Sequence, residues 1–438
     1  MVENYFDKAM TYAETIEFLY SQLPAYHRIG KAAYKADLYT TERLDEYFGQ
    51  PHRKYLTIHV GGTNGKGSVS HIIASVLQQA GYKTGLYTSP HLKDFRERIR
   101  INGEMIDKEY IISFVQNHRT ILESLQPSFF EMTAAMAFEY FAMKKVDVAV
   151  IEVGLGGRLD STNIISPIVS AITNIGHDHM EFLGNTLEKV AIEKAGIIKR
   201  QTPVIIGETL QATSNVFVSA AAMSESEIFF ADKNYDSVLD DFDICSPFRG
   251  YSVKERATGK IFTGVIPLGG DYQQANLRTV FQIWRCLEKK LNITEKSLTD
   301  GIRNVIGNTG LQGRWQIIRK TTTVICDTGH NFEGLEYVLN QLNKLEVSNR
   351  RLILGFVNDK DVDKILPLFP KDAVYYFTKA SNARAINENI LRQKALAAGL
   401  CGCSFPSVKE AYAAALADSA ASDLIFIGGS SFVVAEVL

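Results

Sequence analysis

The chain has 438 residues, 46% hydrophobic and 22% charged, with a formal net charge of -2. That length exceeds one compact core and predicts two or three domains; the near-neutral balance excludes a general affinity for nucleic acid or an anionic membrane. The N-terminus lacks a basic segment followed by an apolar run, no stretch approaches the ~20 apolar residues of a membrane helix, and the cysteines are odd in number and scattered, so a cytoplasmic chain without signal peptide, membrane span or disulfide framework is expected.

The first ~50 residues read as helical, with apolar positions at mixed three and four spacing. "KYLTIHV" (54–60) reads as a buried strand and is followed by a glycine-rich loop, "GGTNGKGS" (61–68). In the next segment Val69, Ile72, Ile73, Val76 and Leu77 recur at i, i+3, i+4, i+7 and i+8, the stripe of an amphipathic helix. Gly81 ends it. Further apolar runs of strand length stand at 84–89, 146–154, 168–175 and 203–207. Nearly continuous apolar strands alternating with helices predict a parallel sheet covered on both faces. Residues 208–265 break the pattern, and "YSVKERATGKIFTGVIP" (251–267) reads as a hairpin added to that sheet. The alternation restarts with strands at 321–327, 351–356, 373–377 and 423–429, a second, smaller doubly wound domain. The glycines of "VIGNTGLQGRWQ" (305–316) mark the boundary. The expected fold is therefore α/β: a larger P-loop ATPase-like domain over 1–308, a linker over 309–316 and a smaller Rossmann-like domain over 317–438.

The loop departs from the common phosphate-binding spacing G-x-x-x-x-G-K-[ST]. Three residues separate Gly61 from Gly65, and Gly67 stands between Lys66 and Ser68. It still lies between a strand and a helix, where backbone N–H groups and a helix N-terminus cradle phosphate. Lys66 can reach the outer phosphates. Three other strand ends carry polar groups: Ser89 in "YTSPHL", Glu152 closing "VDVAVIE", and His177, Asp178 and His179 in "NIGHDHMEFLG". A carboxylate closing a buried strand beside such a loop is where nucleotide-bound Mg²⁺ is held. Lys194 and Lys199 fall on a helix capped by Asn185 or Thr186; taken alone, Glu193-Lys194 reads as a solvated face. In the second half, "CDTGHN" (326–331) ends a strand. Its single Asp-Thr-Gly in an α/β frame excludes an aspartic protease, and Asp327 could instead hold a ribose hydroxyl or a phosphate-bound water. Arg314 in "GRWQ" is a candidate clamp on a transferred phosphate.

In order along the chain, "HVGGTNGKGSVS", "TSPHL", "ERIRING", "FFEMTAAMAF", "EVGLGGRLDSTN", "HDHMEFLG", "EKAGIIK", "GRW", "DTGHN" and "GSSFVVAEV" resemble the folylpolyglutamate synthase/dihydrofolate synthase family, the folate branch of the Mur ligases. The glycine between Lys66 and Ser68 belongs to that branch. The resemblance implies a ligase that uses ATP to phosphorylate a pterin carboxylate and then lets the amine of L-glutamate attack the acyl phosphate. It implies ATP contacts from Gly62, Thr63, Asn64, Gly65, Lys66, Gly67, Ser68, Asn276, Arg314 and Asp327. Mg²⁺ would be held by Ser68, Ser89, Glu152 and His179, the histidine that follows the aspartate. Lys66, Lys194 and His330 would be catalytic, with Lys194 carbamylated, and His330 and Ser430 would serve glutamate and the acyl phosphate. A monovalent cation stays open as a further cofactor. The sequence departs from the family at Tyr272-Gln273, where His-Gln is usual, and at "DTGHN", which replaces Asp-Gly-Ala-His-Asn. "TSPHL" and "FFEMTAAMAF" border the folate pocket in this reading. Partners would be small molecules only, and the family precedent is a monomer. Dihydropteroate and folate polyglutamates remain alternative or joint acceptors. Competing readings are a ligase of the same superfamily for a cell-wall precursor and an ATPase module without ligation.

Overall fold

The computed structural model describes residues 10–22, 37–288 and 290–438. The helical reading of the first ~50 residues falls partly outside them; inside, it corresponds to the helices Tyr12–Gln22 and Tyr39–Tyr47. The larger sheet has eight strands: β1 (Leu56–Gly61), β2 (Thr84–Tyr87), β3 (Ile99–Ile101), β4 (Glu104–Met105), β5 (Val148–Glu152), β6 (Val169–Ile172), β7 (Val204–Ile206) and β8 (Ile228–Phe230). Their spatial order is β4-β3-β2-β5-β1-β6-β7-β8. All neighbours are parallel except at the β2-β3-β4 edge.

Alternation along β5 shows why the runs are apolar throughout. Val148 and Val150 enter one core with Ile72, Val76 and Phe281, whereas Ala149 and Ile151 enter another with Met132 and Phe138. Successive side chains leave opposite faces, and helices cover both. The helix Lys66–Gln79 covers one face, and Phe129–Met143 covers the other, begun by a capping box between Ser128 and Glu131.

The expected hairpin forms, but it does not extend the large sheet. β10 (Arg249–Glu255) and β11 (Ile261–Ile266) pair antiparallel and, with β9 (Tyr235–Leu239), make a separate three-stranded sheet. Its inward Tyr235, Tyr251, Val253 and Phe262 pack with Phe281 and Trp284 of the helix Gln273–Leu287, so the hairpin serves that helix and leaves β8 as the edge.

The smaller sheet comprises β12 (Gln316–Arg319), β13 (Thr323–Cys326), β14 (Arg350–Leu354), β15 (Val374–Thr378), β16 (Gly402–Phe405) and β17 (Leu424–Gly428). The order is β12-β13-β17-β14-β15-β16, and only β12 is antiparallel. Sequence reading overlooked β3, β4, β8, β9, β12 and β16, short strands at or next to sheet edges with little buried pattern. The boundary stretch 305–316 begins with a short helix, Val305–Thr309, ended by Gly310 at φ 68°, just inside the expected linker.

Candidate active site

Four neighbouring strands, β2, β5, β1 and β6, deliver their carboxyl ends side by side. β1 runs into the glycine loop. Gly62 adopts φ 137°, and a Cβ there would stand 1.9 Å from Thr173 Oγ1, just past β6. The loop is tied to that strand exit. Thr63 N–H donates to Asn174 O (3.0 Å), Asn64 N–H to Asn174 Oδ1 (2.8 Å), and Thr173 Oγ1 to Asn64 O (2.5 Å). Gly65, at φ 85°, starts the helix, and a Cβ on it would lie 2.3 Å from Asn276 Oδ1. Asn276 is thus packed onto the loop, held by Nδ2 donation to Gln273 Oε1 (2.8 Å). Gln273 in turn donates to Ser68 Oγ at 3.4 Å.

Two lysines converge on one carbonyl. Lys66 Nζ donates to Gly62 O and Thr63 O, both at 3.0 Å, and Lys194 Nζ donates to Gly62 O at 2.7 Å. The solvated-face reading of Glu193-Lys194 is corrected here. Glu193 does pair with exposed Arg158, but Lys194 is 4% exposed, because a nine-residue helix capped by Thr186 turns it inward. Burial, then the Lys66 charge, lowers its amine to about 7.

Glu152 closes β5 as expected, buried, accepting from the backbone N–H of Ser89 at 3.1 Å. Burial raises its carboxyl, and the charges of Lys66, Arg314 and Arg98 act against that rise. A Cβ on Gly67 would lie 3.4 Å from Arg314 Nη2 and 3.7–3.8 Å from the Glu152 oxygens. The absent side chain therefore leaves open the cradle between a buried carboxylate and a guanidinium. Glu152, the hydroxyls of Ser68 and Ser89, and His179 are a hard donor set that suits Mg²⁺. Burial is the main cause that lowers His179 to about 4, so its imidazole is neutral at pH 7 and able to ligate. Among the described residues no group of three or more His, Cys, Asp or Glu side chains converges to hold a metal; this set has two, completed by serines. Cys401 and Cys403 are exposed free thiols.

The smaller domain closes the site from above. A cavity of about 310 Å³ is lined by Lys66, Ser89, His179 and Lys194 from the larger domain and by His330 and Ser430 from the smaller one. Phe129 and Phe130 of "FFEMTAAMAF" line it too. Ser430 caps the helix Ser431–Ala435, accepting from Val433 N–H at 3.2 Å. Arg314 Nη1 donates to Thr328 Oγ1. His177 sits apart, with Nδ1 3.1 Å from Glu333 Oε1.

The buried carboxylate of Asp327 accepts from the Tyr272 hydroxyl (2.6 Å), Trp315 N–H (2.7 Å) and Gly329 N–H (2.7 Å). These bonds join Tyr272 of the larger domain and Trp315 of the linker to the smaller domain. Tyr272, where the sequence leaves the family pattern, supplies the shortest of these bonds.

Sequence reasoning gave no role to four residues. Asp178 accepts from Lys360 Nζ (2.5 Å) and Asn331 Nδ2 (3.2 Å), with His330 Nε2 3.4 Å away. Burial raises its carboxyl, but His179, His330 and Lys360 outweigh this and hold it well below the usual range. Asn331 also exchanges amide hydrogen bonds with Asn64 of the loop, at 3.0 and 3.1 Å. Lys360 follows the end of β14, so the strand-end rule that found Glu152 could have found it. Arg98, inside "ERIRING", is buried and lines the cavity.

Comparison with known proteins decides the family. The Mur ligase middle domain matches residues 60–282, and the Mur ligase glutamate ligase domain matches residues 313–431. A folylpolyglutamate synthase of Lacticaseibacillus casei is 33% identical over 394 residues, covering 86% of this chain and 88% of the relative. A dihydrofolate synthase/folylpolyglutamate synthase of Bacillus subtilis is 35% identical over 342 residues, 76% and 77% of the two chains. The chain belongs to the folylpolyglutamate synthase/dihydrofolate synthase family of Mur ligases. Members join glutamate to folates at the expense of ATP, and this chain is such a ligase, forming a carbon–nitrogen bond. The Escherichia coli family member FolC, in complex with DHPP and ADP, superposes with a TM-score of 0.83 at 27% identity, covering 98% of this chain and 97% of that one. Among the described residues no helix is long and apolar enough to cross a membrane.

Proposed function

We propose that this family member accepts both dihydropteroate and folate polyglutamates, with the two domains 1–308 and 317–438 joined by the linker 309–316. The observation that carries the reading is the single cavity in which the phosphate loop, the aromatic Phe129–Phe130 pair and the smaller domain's His330 and Ser430 meet. The solved relative bound to ADP and DHPP supports it.

In this mechanism the 62–68 backbone and Lys66 leave their internal bonds to take the β- and γ-phosphates of ATP. A divalent cation held by Ser68, Ser89, Glu152 and His179 would supply charge neutralisation at those phosphates. Arg314 and Asn276 flank them. A carboxylate oxygen of the acceptor attacks the γ-phosphorus, the bond to the bridging oxygen breaks, and ADP leaves with the electron pair. The amine of glutamate, placed by His330 and Ser430, attacks the acyl carbon. Phosphate then departs, and the amine proton is lost to solvent or base. The enclosing domain keeps water from the acyl phosphate. Lys194, its amine held near 7, is the site of carbamylation: the neutral amine adds to CO₂, loses a proton and becomes a carboxylate facing Lys66.

The test is phosphate release with Mg²⁺-ATP and glutamate, with dihydropteroate or tetrahydrofolate added separately. Stimulation by both is expected. Stimulation by one confines the chain to that step, and stimulation by neither overturns the acceptor assignment.

A further inference from the structure

Among the described residues no carboxylate pairs with one buried cation of the cavity, Arg98. Arg98 ends the short helical turn Phe95–Arg98 and is 5% exposed. Its Nε donates to His91 Nδ1 at 2.7 Å. His91 Nε2 must then carry the proton, and it donates to the Tyr20 hydroxyl at 3.0 Å. The guanidinium carbon lies 5.2 Å from the Phe129 ring centroid, and Phe129 stacks on Tyr20 at 5.2 Å and 15°. Tyr20, His91 and Phe129 therefore fix the arginine from two sides. Among the described residues its two terminal nitrogens have no hydrogen-bond partner and no carboxylate stands within 4 Å. The carboxylates of Glu152 and Glu97 act on it through space.

Burying a charge without a partner is costly unless a ligand supplies one. The fork left free is the planar Nη1–Nη2 end, which matches the two oxygens of a carboxylate. Arg98 lines the cavity that Phe129, Phe130, Ser89 and Lys66 also line. An aromatic acid would seat its ring against the phenylalanines and its carboxylate on this fork, on the side facing the phosphate loop. We propose that Arg98, oriented by His91 and Tyr20, is the subsite for the acceptor's carboxylate. The proposal rests on the acceptor reading above and adds the residue that recognises the reacting group. Arg98 neutralises the carboxylate as it approaches the anionic γ-phosphate, while Lys66 serves the phosphate side.

The test compares equilibrium binding of dihydropteroate with its analogue carrying a primary carboxamide, by calorimetry on the full chain. The wild type should prefer the acid by about tenfold or more. Arg98→Met should bind both alike, with carboxamide affinity and ATP affinity unchanged. Arg98→Lys, which keeps charge but not the fork, should lose about threefold or more of the preference, and it decides the matter if Arg98→Met shows no folded melting transition. Full preference in either variant overturns the proposal. A fall in ATP affinity with acid preference intact overturns it in favour of a nucleotide contact. Failure of the wild type to bind either pterin overturns the acceptor reading itself, and this subsite with it.

Discussion

Lys360 of the smaller domain donates to Asp178 of the larger one at 2.5 Å, with the lysine 8% and the aspartate 12% exposed. The pair bridges the two domains at the rim of the cavity. Removing one partner of a buried pair costs about 3–5 kcal/mol, largely because the other charge is stranded. Lys360→Met should therefore favour an open arrangement: a larger radius of gyration by small-angle scattering and a turnover number reduced about tenfold or more. Unchanged scattering and unchanged turnover would show that the pair does not hold the domains together.

Among the described residues Lys66 bonds only its own loop carbonyls, Gly62 O and Thr63 O. Lys66→Ala should leave the melting temperature within a few degrees of the wild type. It should lower kcat/KM for ATP by about a hundredfold or more, as loss of a charged transition-state contact does. Near-normal phosphate release from a folded variant would remove the lysine from the reaction.

Gly65 and Gly67 should separate folding from binding. At Gly65, φ 85° and the 2.3 Å approach to Asn276 mean alanine is strained and clashes, so Gly65→Ala should destabilise by about 1–2 kcal/mol or more. At Gly67 a Cβ meets Arg314 and Glu152 only at 3.4–3.8 Å. Gly67→Ala should fold like the wild type yet bind nucleotide about tenfold more weakly, because the methyl fills the cradle. Denaturant midpoints and nucleotide titrations give both readouts; equal nucleotide affinity in a folded Gly67→Ala chain would contradict the cradle.

Lys194 gives two pH signatures. Its folded value near 7 lies below the ordinary 10.5. Between those limits the unfolded chain holds a proton that the folded chain has released, so this group makes stability rise with pH from about 7 to 10. Lys194→Met should flatten that slope in denaturant melts taken at several pH values. Carbamylation needs the neutral amine, so activity of the wild type should rise with bicarbonate above pH 7. Lys194→Ala should lose activity and regain part of it with acetate or formate. A fully active Lys194→Ala chain, or a wild type indifferent to bicarbonate after its removal, would argue against the modification.

The strand ends were readable because β1, β5 and β6 are buried on both faces, which makes their apolar runs continuous and their polar terminators conspicuous. Glu152, Ser89 and the loop were found that way. The roles of Asp178, Asn331 and Lys360 were not readable, even where position at a strand end marks the residue, since those roles lie in contacts spanning 153 and 182 residues, and no local period encodes such pairs. Lys194 looked solvated because its neighbour Glu193 is paired at the surface; helical phase decides between adjacent positions, and a nine-residue helix offers little phase to read. The bond from the Tyr272 hydroxyl to Asp327, fifty-five residues later, is long-range in the same way and left no local signal.

The reciprocal amide bonds between Asn64 and Asn331 place the phosphate loop and the first turn of the helix Phe332–Lys344 in one mechanical unit. Any ligand that moves one amide must do work on the other. In the proposed mechanism, where His330 seats glutamate beside Asn331, nucleotide and amino-acid affinities are linked quantities, and thermodynamic reciprocity requires equal factors in both directions: whatever a seated phosphate adds to the hold on glutamate, glutamate returns to the hold on phosphate.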